Sequence, residues 1–294
     1  MNPFESRKKP ESISPDSAEA NRKRFWRKSS GKKPASNLNE PKLIVPKIGS
    51  VPYLNAAPLT YGLEDEAVMT APSKLAEHIR AGELDAALVS VTEVLFHSGY
   101  DVLDGIAVAS HGAVKSVFLA HLKPMEEIDV IWCDTASLTS VNLLRVLLAE
   151  RGLKPLFKPL PSYEDADDYP AVLLIGDPAL RFAHGNYPHA IWDLGLAWHN
   201  LTKLPFVYAV WALRRGAHNE SLRNKLRNAK KLGLAHMDEL ISIRREFTPE
   251  LRRAYLTGHI RYDLGETEKR GLARFVDLLR LHAQGPVYAP RYVN

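Results

Sequence analysis

A chain of 294 residues, 45% of them hydrophobic, can bury one large core or two medium ones, which excludes a fibrous or wholly unfolded protein. Its formal charge of +5 is unevenly spread: eleven of the 39 basic and five of the 34 acidic residues fall in residues 1–43, leaving 28 basic against 29 acidic beyond them. The part able to fold is therefore near neutral, which removes the electrostatic footprint expected of a nucleic-acid binder.

Residues 1–43 combine Ser, Pro and charge with almost no apolar periodicity, and are expected to form a disordered basic extension. They hold no apolar stretch of the secretory kind and no transmembrane run follows, so the expectation is a cytoplasmic protein without a membrane partner. The one cysteine, Cys133, excludes an internal disulfide framework and a Cys-rich zinc site.

Residues 44–48 read as the first strand. It leads into Val51-Pro52-Tyr53-Leu54-Asn55, where Pro52 and Pro58 stiffen a loop that presents Tyr53 and Asn55. Ser73 is expected to cap a helix over 74–81 that Gly82 stops. The apolar run 84–91 reads as a strand buried on both faces, completing a βαβ unit. Parallel sheets of this kind place ligands at the carboxyl ends of strands, which brings Ser90, Thr92 and Glu93 into view, although helix capping explains them equally.

A strand over 102–110 turns at His111-Gly112-Ala113 into another over 114–120. Alternation there puts Val114, Ser116 and Phe118 on one face and Lys115 on the other. The Ser116 hydroxyl either bonds local backbone or faces a ligand. A strand over 128–133 then feeds a helix start bearing Ser137, Thr139 and Ser140, more hydroxyls than capping requires. Unpaired amides and the positive end of the dipole make such a start an anion site. The acidic residues 164–168 lack a compact ligand spacing and read as a solvated loop rather than a metal site. Residues 171–175 form a buried strand, after which Asp177 reads as an N-cap, Pro178 as the first helical residue, and Gly176 as room for a ligand. The run 204–211 reads as a central or crossover strand that returns the chain to the first lobe. From Asn219 onward the pattern is helical, with Thr248-Pro249 as a start signal and a last helix burying Leu272, Phe275, Val276 and Leu279.

No Gly-rich phosphate loop, nucleophile elbow or metal-binding histidine pair is present. His111 and His184 read as surface or capping residues. Asn55, Ser116, Ser137, Thr139, Ser140 and Gly176 can hydrogen-bond an anion without strong proton transfer, so the residues point to a two-lobed binder of a small anionic molecule, with no metal and no cofactor.

The motifs Val51-Pro52-Tyr53-Leu54-Asn55 with Pro58-Leu59, Gly82-Glu83-Leu84-Asp85-Ala86-Ala87-Leu88-Val89, Ser137-Leu138-Thr139-Ser140-Val141, Leu174-Ile175-Gly176-Asp177 and residues 204–211 resemble, in order, the chorismate dehydratase family of the futalosine route to menaquinone. The resemblance covers roughly residues 44–283. It implies an α/β, type II periplasmic-binding-protein-like fold of two lobes with a central cleft, lobe one from 44–112 and 212–294 and lobe two from 113–211. It also implies a hydro-lyase that removes water from chorismate to give 3-[(1-carboxyvinyl)oxy]benzoate. The family's essential asparagine falls on Asn55 and its essential serine on Ser116, while Tyr53, Ser137, Thr139, Ser140, Gly176 and Asp177 are placed against the substrate. Lys115 stands where an apolar residue is usual, and Leu138 where a polar or basic one is. The competing expectation is a non-catalytic binding protein for a small carboxylate ligand, a role that ordinarily requires export. A related dihydroxynaphthoate synthase would need a histidine and an N-terminal motif that differ from these, and a ligand-sensing regulator would need a DNA-binding module.

Overall fold

The computed structural model describes residues 46–134, 138–282 and 286–294. Eleven strands among them form two sheets. In the first, β1 (Ile48–Ser50), β2 (Ala67–Met69), β3 (Ala86–Ser90), β4 (Tyr100–Ser110), β10 (Phe206–Arg214) and β11 (Tyr292–Val293) lie in the order β11-β4-β10-β3-β1-β2. In the second, β5 (Val117–His121), β6 (Val130–Cys133), β7 (Leu156–Pro159), β8 (Ala171–Ile175) and β9 (Ala190–Asp193) lie in the order β7-β6-β8-β5-β9.

β1 runs parallel to β2 and β3, and β6 runs parallel to β7 and β8. Both β3 and β8 are apolar along most of their length and buried on both faces, as strands covered by helices must be. Helix α1 (Pro72–Arg80) joins β2 to β3, with Pro72 at its first position and Leu75, Ala76 and Ile79 packed inward. Its N-cap is Ala71, so Ser73 lies inside the first turn and caps nothing. Gly82, at φ +75°, ends the excursion as expected.

The chain passes between the sheets twice. The first passage, residues 111–116, links β4 to β5. Lys115 adopts φ +66° there, so alternation fails and Ser116 precedes the strand rather than lying in it. The Asp193 carboxylate holds this passage, its Oδ1 accepting the Val114 amide at 3.1 Å and its Oδ2 the Lys115 amide at 2.7 Å. Asp193 also caps the helix that follows β9, α5 (Leu194–Thr202), by accepting the Leu196 amide at 3.0 Å. Lys115 is exposed and Ser116 buried, though strand alternation is not what separates them.

The second passage enters β10, which lies antiparallel between β3 and β4. A division of the chain at 211/212 falls inside this strand, whose whole length pairs within the first sheet. Against β4 its register slips between Val207 and Ala209, and the extra residue, Tyr208, has its hydroxyl 3.0 Å from Ser110 Oγ. Gly195 in α5 makes the approach possible. A Cβ there would stand 2.6 Å from both the Gly112 carbonyl and the Tyr208 hydroxyl. Nearby, Trp198 packs edge-on against Phe206 and Phe275, bringing α5 and β10 against the last long helix, Glu266–His282. That helix buries Leu272, Phe275, Val276 and Leu279, the face read from its periodicity. Thr248 caps the short helix Pro249–Arg253 by accepting the Leu251 amide.

Among the described residues no helix is long and apolar enough to cross a membrane, and no three metal-ligating side chains converge.

Candidate functional site

Strand ends from both sheets converge on a cavity walled by Tyr53, Asn55, Ser90, Ser116, Ser140, Gly176 and Tyr208, with Val51, Leu88, Val108 and Val114 as apolar filling. Its enclosed volume is about 60 Å³, room for about two waters and far below that of an organic ligand site.

Asn55 lies in the 3-10 turn Leu54–Leu59, which leaves the carboxyl end of β1 and contains Pro58. Tyr53 immediately precedes the turn, its ring over Gly176. A Cβ on Gly176 would meet that ring at 3.2 Å, and the backbone there has φ +60°, so the position favours glycine twice over. Burial, with the nearby Asp134 and Asp177 carboxylates, pushes the Tyr53 phenol up to about 12, so it remains neutral. Its hydroxyl reaches Tyr163, which donates to Asp134 Oδ2 at 2.5 Å.

Opposite stands Ser116, 1% exposed, whose carbonyl accepts the Gly176 amide at 2.7 Å. Its Oγ accepts the Tyr255 hydroxyl proton at 2.7 Å. Asn55 stands near enough to the same tyrosine hydroxyl to lower its pKa, so Asn55 and Ser116 both neighbour one phenol. Tyr255 lies wholly within the protein on a π-helical turn, Ala254–His259, far along the chain from both partners. Burial raises its pKa well above the ordinary phenol range and keeps it a hydrogen-bond donor.

Of the residues expected at an anion-binding helix start, Ser140 is buried and lines the cavity in the first turn of α3 (Leu138–Ala149). Thr139 does not line it. Its Oγ1 accepts the Thr92 amide at 3.1 Å and lies 3.1 Å from the Thr92 hydroxyl, tying the helix after β3 to α3. Ser137 lies outside the described residues. Asp177 is not the N-cap of its helix, α4 (Gly176–Ala183); that position belongs to Ile175. Its Oδ1 instead accepts the Leu54 amide at 3.2 Å, linking α4 to the turn that bears Asn55. Burial raises the Asp177 carboxyl pKa, with Glu246 adding to the shift, while the Leu54 amide, Arg181 and Arg244 oppose it. Ser90 lines the cavity, whereas Glu93 is turned away to pair with Arg80, His97 and Tyr100.

A second cavity, about 600 Å³, is lined by Lys115, His184, Trp192, Leu196, Tyr255 and His259 among others, and shares no lining residue with the first. It is larger, yet Asn55, Ser116, Ser140 and Gly176 all open on the smaller one, and polar groups converge there.

Two sheets linked by crossing segments, with strand ends and a helix start facing a shared cleft, define a protein of the periplasmic-binding-protein-like class. Solved structures agree in fold. A protein of Archaeoglobus fulgidus superposes with a TM-score of 0.66 at 17% identity, over 80% of this chain and 97% of that one. The periplasmic aliphatic sulphonate binding protein SsuA of Escherichia coli gives 0.54 at 16%, over 84% and 93%. In sequence, residues 46–280 match the menaquinone biosynthesis family, and the chorismate dehydratase of Thermus thermophilus is 33% identical over 258 residues, 80% of this chain and 95% of that protein. The chain belongs to this menaquinone biosynthesis family.

Tyr255, Tyr208 and the Tyr163–Asp134 pair were not among the residues singled out from sequence. Nothing in the helical pattern around Tyr255 marks a residue reaching a site more than a hundred positions earlier.

Proposed function

We propose that this chain is a hydro-lyase that eliminates water from chorismate to give 3-[(1-carboxyvinyl)oxy]benzoate. The observation that carries this reading is the meeting of Asn55 and Ser116 across one small cavity, with no acid–base pair among the described residues that wall it. The relative from Thermus thermophilus, named for this reaction, supports it.

Chorismate brings the missing chemistry. Loss of its ring hydroxyl with the proton on the neighbouring ether-bearing carbon makes the ring aromatic, so the driving force lies in the substrate. The enolpyruvyl carboxylate takes that proton, and the electron pair of the broken C–H bond forms the new ring double bond. The ring C–O bond breaks, and the departing hydroxide becomes water by taking that proton back from the enolpyruvyl carboxyl group, which returns to the carboxylate. Asn55 and Ser116 orient the ring and hydrogen-bond the departing oxygen, stabilisation that grows as charge develops. Ser140 and the first amides of α3 hold a carboxylate of the substrate. Tyr53 covers the ring from the Gly176 side. The largely apolar walls limit bulk water around the developing charge.

Purified protein incubated with chorismate tests the reading. Appearance of the aromatic product by ultraviolet absorbance and proton NMR is expected; saturable binding of chorismate with no product would instead establish a binding protein.

A further inference from the structure

Ser116 has one proton to give and two lone pairs to offer. One lone pair is occupied by the Tyr255 hydroxyl, and among the described residues no protein acceptor takes the serine proton. Tyr255 has 1% exposure, and its hydroxyl donates to Ser116 with the Asn55 side chain nearby.

The backbone holds it there deliberately. The π turn closes with the Ile260 amide donating to the Tyr255 carbonyl at 3.2 Å, five residues apart, a widened turn of the kind found at functional sites. At the end of that turn, His259 Nδ1 lies 3.0 Å from the Ala113 carbonyl, three residues before Ser116. Ahead of it, the buried Arg252 donates to the carbonyls of Glu246 at 3.0 Å and Phe247 at 2.7 Å. His259 thus ties the turn to the segment that carries Ser116, while Arg252 ties the helix ahead of it to residues 246–247.

We propose, resting on the dehydratase reading, that Tyr255 is a positioning residue: it fixes the Ser116 rotor so that the serine proton points into the cavity, at the departing oxygen, while it steadies Asn55 from behind. A serine hydroxyl without this donor has three staggered orientations available and turns its proton toward the substrate only part of the time. Tyr255 does not touch the substrate. It acts through the two residues that do.

Tyr255→Phe deletes one oxygen and keeps the ring. With thermal unfolding and near-ultraviolet circular dichroism to confirm the fold, kcat on chorismate should fall about tenfold or more with KM within about twofold. Because the tyrosine works largely through Ser116, the double variant Tyr255→Phe/Ser116→Ala should be little slower than Ser116→Ala alone. Wild-type kcat in Tyr255→Phe, or a double variant slowed by the product of the two single effects, would overturn the proposal. If the phenylalanine variant does not fold, 3,5-difluorotyrosine at position 255 keeps shape and hydrogen bond with a more acidic hydroxyl. Its kcat should then decline at lower pH than wild type, and an unmoved basic limb would count against the role. A wild-type protein inert toward chorismate overturns the dehydratase reading and this proposal with it.

Discussion

The Asp177 carboxylate accepts the Leu54 amide at 3.2 Å, joining the first turn of α4 to the turn that carries Asn55. The two residues are 123 positions apart, and their bond sets where one wall of the cavity stands relative to the other. Burial raises the Asp177 pKa above its ordinary 3.8, despite Arg181 and Arg244 nearby. A carboxyl whose folded pKa is raised favours folding fully below 3.8, and that contribution is lost as pH rises through the folded value. Asp177→Asn keeps an acceptor for Leu54 and removes the charge. Its melting temperature relative to wild type should therefore be higher at pH 7 than at pH 4, and a difference that does not change with pH would refute the assignment.

On the proposed reading, Asn55→Ala and Ser116→Ala each remove a group that hydrogen-bonds the departing oxygen. Losses in kcat on the order of 100-fold are expected, the size seen when one donor to a developing oxyanion is deleted. Steady-state kinetics on chorismate decide the matter, and full turnover in both variants would dismiss these roles.

At position 176 an added methyl would meet the Tyr53 ring at 3.2 Å on a backbone with φ +60°. Gly176→Ala should cost about 1–2 kcal/mol in urea unfolding and raise KM by displacing the ring. Unchanged stability with unchanged KM would show that Tyr53 is free to give way.

Thr139→Val separates structure from ligand binding. It leaves the buried Thr92 amide and hydroxyl without their partner, so a loss of about 1–3 kcal/mol is expected. KM for chorismate should stay within about twofold. A large rise in KM with stability intact would return Thr139 to the anion site.

Features carried by local chemistry were legible in the sequence. The apolar run at 171–175 became β8, and residues 204–211 returned the chain to the first sheet, while Gly176, read as room for a ligand, lies under the Tyr53 ring. Legibility ended where backbone geometry or distant contacts decide. Lys115 takes a left-handed conformation that lysine only rarely adopts, which ends the alternation used to orient Ser116. Asp177 has the look of a cap, but its oxygen is claimed by an amide from another element. Thr139 is one of a surplus of hydroxyls at a helix start, and only its proximity to Thr92 shows that it bonds a neighbouring helix. Tyr255 depends on a π turn, for which helical periodicity carries no signal.

Gly195 touches no residue of the cavity except through the Tyr208 hydroxyl, yet the backbone carbonyl of Gly112 and the Ser110 hydroxyl also rest where its side chain would be. A single methyl group there would act as a spacer between α5 on one side and the first passage, β4 and β10 on the other. A side chain at position 195 would thus press on the Tyr208 hydroxyl, a wall of the cavity, from a helix that itself lines none of it.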